Sequence, residues 1–267
     1  MPTASKVILA EVRGVRRLTP HMSRITLHLD GLSGFDHTGP DQLVRTFFPQ
    51  SHQRVPVVPL SDDWWTEYQQ LPEDIRPVVR NYTIRRFLPA RRSIDLDFVL
   101  HGDTGPASRW AQAAQPGDVI GVLTDGHGYN EPEGTTSRLL IADETALPAA
   151  GAILDAQDGS ARLLAEVNGA QDEIPLKASV RWIHRDGPAR GTGELMVSHL
   201  SSVPIEPAGL YVWIGGEAGM VKAARRHLVA RGVPKKQIYF CGYWLHKRND
   251  NDAFLEAERA EYFAQLA

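Results

Sequence analysis

Leu139-Leu140-Ile141-Ala142-Asp143-Glu144-Thr145-Ala146-Leu147-Pro148-Ala149-Ala150-Gly151 passes from an apolar run through a polar triplet into an alanine-rich stretch. The run is short and continuous, as in a strand buried on both faces, and Leu147, Ala150, Gly151 and Leu154 follow at helical spacing. Strand, polar turn and helix in that order begin a parallel α/β sheet, whose ligands bind outside the carboxyl ends of the strands. Downstream, Leu163 to Val167, Val180 to His184, Leu210 to Ile214 and Ile238 to Cys241 predict further strands buried on both faces. Glu217 to Arg231 carries Met220, Val221, Ala224 and Leu228 at helical spacing before Gly232 and Pro234, which end it. Asp252 is an N-cap candidate, and Phe254, Glu258 and Tyr262 predict a C-terminal helix.

Upstream, Asn130 to Ser137 contains no apolar residue and marks a change of pattern, which divides the chain into residues 1–134 and 135–267. In the first part Met22, Ile25, Leu27 and Leu29, then Ile94, Leu96, Phe98 and Leu100, alternate with polar residues as in strands buried on one face. Loop signals separate them: Gly31-Leu32-Ser33-Gly34, Gly39-Pro40, and a proline-rich stretch from Pro49 to Pro77 holding a short helix opened by Ser61. Strands joined by long connections predict an antiparallel Greek-key β-barrel. The fold class expected is therefore this barrel followed by a parallel-sheet α/β sandwich and a C-terminal helix.

The charge balance, 29 Lys+Arg against 32 Asp+Glu in 267 residues, argues against a surface devoted to polyanions. One cysteine, Cys241, is too few for a disulfide within the chain, a thiolate zinc site or a Cys-ligated iron–sulfur cluster. No run reaches the roughly 18–20 apolar residues needed to span a bilayer, and Lys6 to Glu11 is too short and too soon charged for a signal peptide. A cytoplasmic protein without stable membrane association is expected. Nothing fixes its oligomeric state, and a monomer is favoured. None of the ten histidines lies three or four residues from another, and there is no HExxH or GxSxG, so neither a metal site nor a side-chain nucleophile is expected.

Four segments carry binding chemistry instead. Arg80-Asn81-Tyr82-Thr83 could lay a fixed cation and two hydroxyls along one strand, suited to a phosphate and the polar edge of a flat ring; an ordinary exposed strand is the competing reading. His101-Gly102-Asp103-Thr104-Gly105-Pro106-Ala107-Ser108-Arg109-Trp110-Ala111 puts a glycine turn before a short helix, whose free N–H groups suit a pyrophosphate, or it is a plain turn. Asp143-Glu144-Thr145-Ala146 and Gly215-Gly216-Glu217-Ala218 are strand-end loops on the same sheet, placed for a cofactor.

These segments, with Gly242-Tyr243-Trp244, Leu18 to Met22 and Phe47-Phe48-Pro49, occur in the order found in siderophore-interacting proteins, which the chain resembles over essentially its whole length. That family comprises flavin-dependent ferric-siderophore reductases of the ferredoxin–NADP reductase superfamily. The resemblance implies that FAD is held by Arg80, Asn81, Tyr82 and Thr83, with its pyrophosphate near Gly105, Pro106, Ala107 and Ser108 and with His101 in the same site. It also implies that Asp143, Thr145, Ala146, Glu217, Tyr243 and Trp244 serve the cofactors from the second domain. NADPH or NADH would be the electron donor, a ferric siderophore the small-molecule substrate, and the flavin would supply the redox chemistry, with no catalytic side chain. Arg45 and Lys247 are the candidate substrate-binding charges. One departure stands out: many relatives carry an arginine in the glycine loop that here reads Asp125-Gly126-His127-Gly128-Tyr129-Asn130.

Two other readings remain open. The same fold could serve as a general flavin reductase or diaphorase. Alternatively Arg76, Arg80, Arg85, Arg86, Arg91 and Arg92, with Tyr82 and Phe87 among them, could form a nucleic-acid surface, although no nucleic-acid partner is expected because that would leave the sandwich without a task. The donor is also open, since Glu166 could pair with a ribose hydroxyl whereas Arg185 and Arg190 could receive a 2′-phosphate.

Overall fold

The computed structural model describes residues 6–30, 35–101, 105–157, 161–186 and 193–246. The C-terminal helix expected from Asp252, together with Lys247 and Arg190, lies outside these residues.

Six antiparallel strands, β1 (Ile8–Thr19), β2 (Met22–Leu29), β3 (Leu43–Phe48), β4 (Val78–Leu88), β5 (Ser93–Val99) and β6 (Val119–Thr124), close into a barrel in the order β1-β2-β5-β4-β3-β6. Ile25, Leu27, Leu29, Ile84, Ile94, Leu96, Phe98, Ile120 and Val122 fill it. Between β3 and β4 runs a short helix, α1 (Trp64–Gln70). Its N-cap is Asp63, which accepts from the Thr66 N–H, and not the expected Ser61. The backbone N–H groups of Leu60 and Ser61 donate to Glu67 instead, so the chain turns into the helix two residues later. A second helix, α2 (Pro106–Ala113), covers one end of the barrel, with Trp110 against Phe48 and Phe98 at ring separations of 5.1 and 5.7 Å. Strand β5 departs from the expectation of one buried face, because its polar side is buried too. Arg24 grips Asp97 with two hydrogen bonds of 2.6 and 2.7 Å, and Thr26 donates to Asp95.

The second half forms a five-stranded parallel sheet from β7 (Ser137–Asp143), β8 (Ala161–Val167), β9 (Ser179–His184), β10 (Leu210–Glu217) and β11 (Ile238–Trp244). Its order is β11-β10-β7-β8-β9: the chain starts at the centre, runs out to one edge, then returns to build the other. Strands β7, β8 and β10 are buried on both faces along most of their length, as expected. In β9 only Ile183 is fully buried and in β11 only Ile238, because each is an edge strand with a neighbour on one side. Helices α4 (Glu194–Ser201) and α5 (Ala218–Ala230) cover one face.

Helix α3 (Leu147–Ala156) covers the other face and is apolar and buried from Leu147 to Leu154, since it lies between the sheet and strand β4 of the barrel. A methyl group on Gly151 would stand 2.8 Å from Arg85 Nε, so this glycine admits the guanidinium from β4. Arg85 then donates to Asp155 at 2.6 Å. A second tie is Asp41, before β3. One of its carboxylate oxygens accepts from the Gly128 and Tyr129 N–H groups, and the other accepts from the indole of the wholly buried Trp213 on β10 at 3.0 Å.

Asp155 supplies a pH test of the joint. Burial would raise its pKa, but the hydrogen bond and charge of Arg85, with Lys177 3.7 Å away, hold it below the ordinary 3.8. A depressed folded value adds stability above the unfolded pKa, and that stability is lost as pH falls through the folded one. Asp155→Asn should therefore lower the unfolding midpoint at pH 7, and the gap from wild type should close as denaturation is repeated at pH values falling below 3.8. A gap independent of pH would show that the charge of Asp155 contributes nothing.

Candidate functional site

The sheet order makes the carboxyl ends of β7 and β10 its switch point, where successive connections leave in opposite directions and a crevice forms. Asp143 ends β7 there, and its carboxylate is buried. Oδ1 accepts from the backbone N–H and hydroxyl of Thr145 at 2.8 and 2.6 Å. Oδ2 accepts from the Glu217 N–H at 2.8 Å and from the Trp244 indole at 2.9 Å. Burial and the neighbouring Glu144 push its pKa up, against the pull of these hydrogen bonds. Both oxygens are occupied by protein donors, so Asp143 positions three sequence-predicted residues, Thr145, Glu217 and Trp244, at one point.

Glycine makes that close approach feasible. Gly216 has φ +139°, and a methyl group there would lie 2.7 Å from Asp143 Cγ and 2.6 Å from Met220 Cε. Glu217, next in the chain, caps α5 by accepting from the Met220 N–H at 2.9 Å, and its other oxygen accepts from the His246 N–H. Ala146, wholly buried, is the N-cap residue of α3.

On the barrel side, Arg80, Asn81, Tyr82 and Thr83 follow one another along β4. Tyr82 packs its ring 4.2 Å from Phe98, which in turn contacts Trp110, so β4 and helix α2 share one aromatic cluster. Burial raises the Tyr82 phenol well above its ordinary range, with the Arg80 charge pulling the other way. At the start of α2, a methyl group on Gly105 would meet the His101 ring at 3.0 Å, and the Ser108 hydroxyl, itself buried, accepts from the His101 N–H at 3.2 Å. Pro106 occupies the first turn of α2, Ala107 is buried behind it, and Gly102, Asp103 and Thr104 lie outside the described residues. A guanidinium, two hydroxyls and a helix N-terminus opened by glycine are a donor set that suits a flat ring joined to phosphates.

The two halves also come together near Tyr243, whose phenol burial holds well above its ordinary pKa while the neighbouring Thr83 of β4 pulls the other way. Asp143 thus gathers the ends of β7, β10 and β11, with Thr83 of the β4 motif near Tyr243.

Two charged features lie near these elements. Arg45, opposite Asn81 in the β3–β4 ladder, donates to Asp125 at 2.6 Å and to Asn81 at 3.3 Å, and its guanidinium lies 5.4 Å from the Trp64 ring centre. Its charge is therefore compensated by the loop that departs from the family pattern. Arg185, just beyond β9, is held by Glu144 through two hydrogen bonds of 2.6 and 2.7 Å and contacts Glu166 at 3.3 Å. Of the arginines in the 76–92 segment, Arg76 donates to the Gln69 and Leu71 carbonyls and Arg85 to Asp155, so these two serve the fold rather than an outward basic face. Asp41, Asp125, Trp64 and Trp213 had no local sequence signal, because each acts through a partner distant in the chain.

Comparison with known proteins agrees with this architecture. The profile described as "Siderophore-interacting FAD-binding domain" matches residues 11–128, and the one described as "Siderophore-interacting protein" matches residues 135–247. The crystal structure of a siderophore utilization protein from T. fusca superposes with a TM-score of 0.81 at 34% identity, covering 94% of this chain and 97% of that one. Ferric vibriobactin reductase ViuB of Vibrio cholerae is 27% identical over 91% of this chain and 90% of its own length. The NADPH-dependent ferric-chelate reductase of Escherichia coli is 29% identical over 87% and 91%.

The tight seating of Gly216 on Asp143 is testable. Gly216→Ala combines an unfavourable φ with a steric clash and should lower the unfolding free energy by about 2 kcal/mol or more. Thr145→Ala, which removes one hydroxyl donor, should cost only about 1 kcal/mol. Denaturant titration measures both, and a Gly216→Ala variant as stable as wild type would contradict the described geometry.

Proposed function

The chain belongs to the siderophore-interacting protein family, and from that premise we propose that it carries electrons from a nicotinamide nucleotide, through FAD, to the iron of a ferric siderophore, releasing Fe(II). The observation that carries this reading is the gathering of three strand ends on Asp143, through Thr145, Glu217 and Trp244, near Thr83 of β4. FAD, when bound, supplies the redox chemistry, accepting a hydride and passing electrons on singly. Arg80, Asn81, Tyr82 and Thr83 hold it from the barrel, with the N-terminus of α2 from Gly105 to Ser108 facing its phosphates and His101 beside them. Thr145, Ala146 and Glu217 receive the donor, and Asp143 keeps them in place. Tyr243 and Trp244 close the site from β11 and limit the access of water.

On this reading residues 1–134 are the flavin domain and 135–267 the nucleotide domain, working in the cytoplasm as a monomer. The acceptor side is less basic than the sequence suggests, because Asp125 offsets Arg45. A diaphorase acting on free flavin or quinones is separated from this proposal by competition between those acceptors and ferric siderophores.

Two outcomes are expected. Charge-assisted hydrogen bonds contribute about 1.5–3 kcal/mol, so Arg80→Ala should weaken FAD binding roughly tenfold to a hundredfold, as measured by flavin fluorescence titration. Unchanged affinity would remove Arg80 from the flavin site, and wild-type protein that takes up no FAD would contradict the whole proposal. Asp125→Asn should free the charge of Arg45 and lower KM for an anionic ferric siderophore about threefold, with less change for a neutral one. Equal KM values in the variant and wild type would place Arg45 away from the acceptor.

A further inference from the structure

Glu166 points to one donor in the sequence and Arg185 with Arg190 to the other; Arg190 lies outside the described residues, and the structure joins Glu166 and Arg185 in one buried cluster. Glu144 follows β7, Glu166 lies near the carboxyl end of β8 in register with Asp143, and Arg185 comes directly after β9. The cluster therefore spans three adjacent strand ends beside the switch point. In dinucleotide-binding sheets an acidic residue about twenty positions after the first glycine turn receives the ribose 2′-hydroxyl, or a nearby arginine receives a 2′-phosphate. Here Glu166 occupies the end of the second strand, where the first of these would lie.

The arginine is already committed. Both terminal nitrogens of Arg185 are gripped by Glu144, at 2.6 and 2.7 Å, and Nη1 also touches Glu166 at 3.3 Å. The side chains of Arg185, Glu166 and Glu144 are only 3%, 9% and 10% exposed, and Arg185 Nε is buried with no hydrogen-bond partner. A phosphate could engage this guanidinium only by displacing a bidentate carboxylate. Two carboxylates, Glu144 and Glu166, already contact this cation, with the buried Asp143 beside Glu166 in the β7–β8 register, and a phosphate monoester would add about −1.5 to −2 charges more. A carboxylate offers about four acceptor positions, so Glu166 can take a ribose hydroxyl while keeping its contact with Arg185.

We infer that the donor is NADH rather than NADPH, and that Glu144 and Glu166 set this preference by locking Arg185 away from a 2′-phosphate. The inference rests on the reading that a nicotinamide nucleotide docks on this sheet. It sets the chain apart from the Escherichia coli relative, whose name specifies NADPH. Burial, with the neighbouring Asp143 and Glu144, pushes the Glu166 carboxyl up against the pull of Arg185, which agrees with a site already over-supplied with negative charge.

Calorimetric binding of NAD+ and NADP+ to the FAD-loaded protein tests the inference without turnover, and steady-state reduction with NADH and NADPH tests it with turnover. Wild type should bind NAD+ at least about tenfold more tightly and show a similar ratio in kcat/KM, expressed mainly in KM. The double substitution Glu144→Gln with Glu166→Gln should shrink that ratio about tenfold, chiefly through a lower KM for NADPH, because it removes two like charges and loosens Arg185. Should the double variant lose its FAD, the wild-type comparison still decides the matter. Equal or tighter binding of NADP+ by wild type overturns the inference alone. Binding of neither nucleotide, with FAD in place, overturns the nicotinamide reading and this inference with it.

Discussion

The buried carboxylate of Asp143 is the constraint on which the site depends. It accepts four hydrogen bonds from groups that begin or end three different connections: the Thr145 N–H and hydroxyl, the Glu217 N–H and the Trp244 indole. An ionised carboxylate is costly to bury, and that cost appears in its raised pKa. The group is retained because no apolar side chain could satisfy the same donors. Gly216 follows from it, since the end of β10 must come close enough to reach the carboxylate, whereas a methyl group on Gly215 would meet Trp213 and Ala146.

A second constraint keeps the two layers together. Helix α3 is buried from Leu147 to Leu154, so barrel and sheet share its surface as one apolar seam. Two polar ties then fix the register of that seam: Arg85 with Asp155 across Gly151, and Asp41 with Trp213. Partners of this kind contribute specificity as much as stability, because leaving any one of them buried and unpaired is expensive. The consequence for function is direct. Strand β4, which bears the proposed flavin residues, is held through Arg85 against helix α3, whose first residues follow the loop proposed to receive the donor.

Much of this architecture is legible in the amino-acid sequence. Alternation locates β2 and β5, continuous apolar runs locate the sheet, and polar residues after those runs locate the switch-point loops, because each signal is contained within a dozen neighbouring residues. Burial of β9 and β11 is not legible in the same way, since an edge strand differs from a central one only through the order of strands around it. Nor is the destiny of individual charges. Arg45 looks like an open cation until Asp125, 80 residues away, is seen to hold it, and Arg185 looks equally available until Glu144, 41 residues away, closes on its guanidinium. Ser61 fails as a helix cap for a local reason, competition from Glu67 for the backbone N–H groups ahead of the helix.

Direct transfer of electrons from the flavin to siderophore-bound iron, as proposed, is open to one anaerobic experiment. Protein loaded with FAD and chemically reduced is mixed with a ferric siderophore in the presence of a colorimetric Fe(II) chelator, while flavin absorbance is followed. The oxidised-flavin bands should return in step with Fe(II) formation, with two iron centres reduced for each flavin. Flavin that stays reduced in the presence of the ferric siderophore, yet is reoxidised promptly by a quinone or by free flavin, would contradict it.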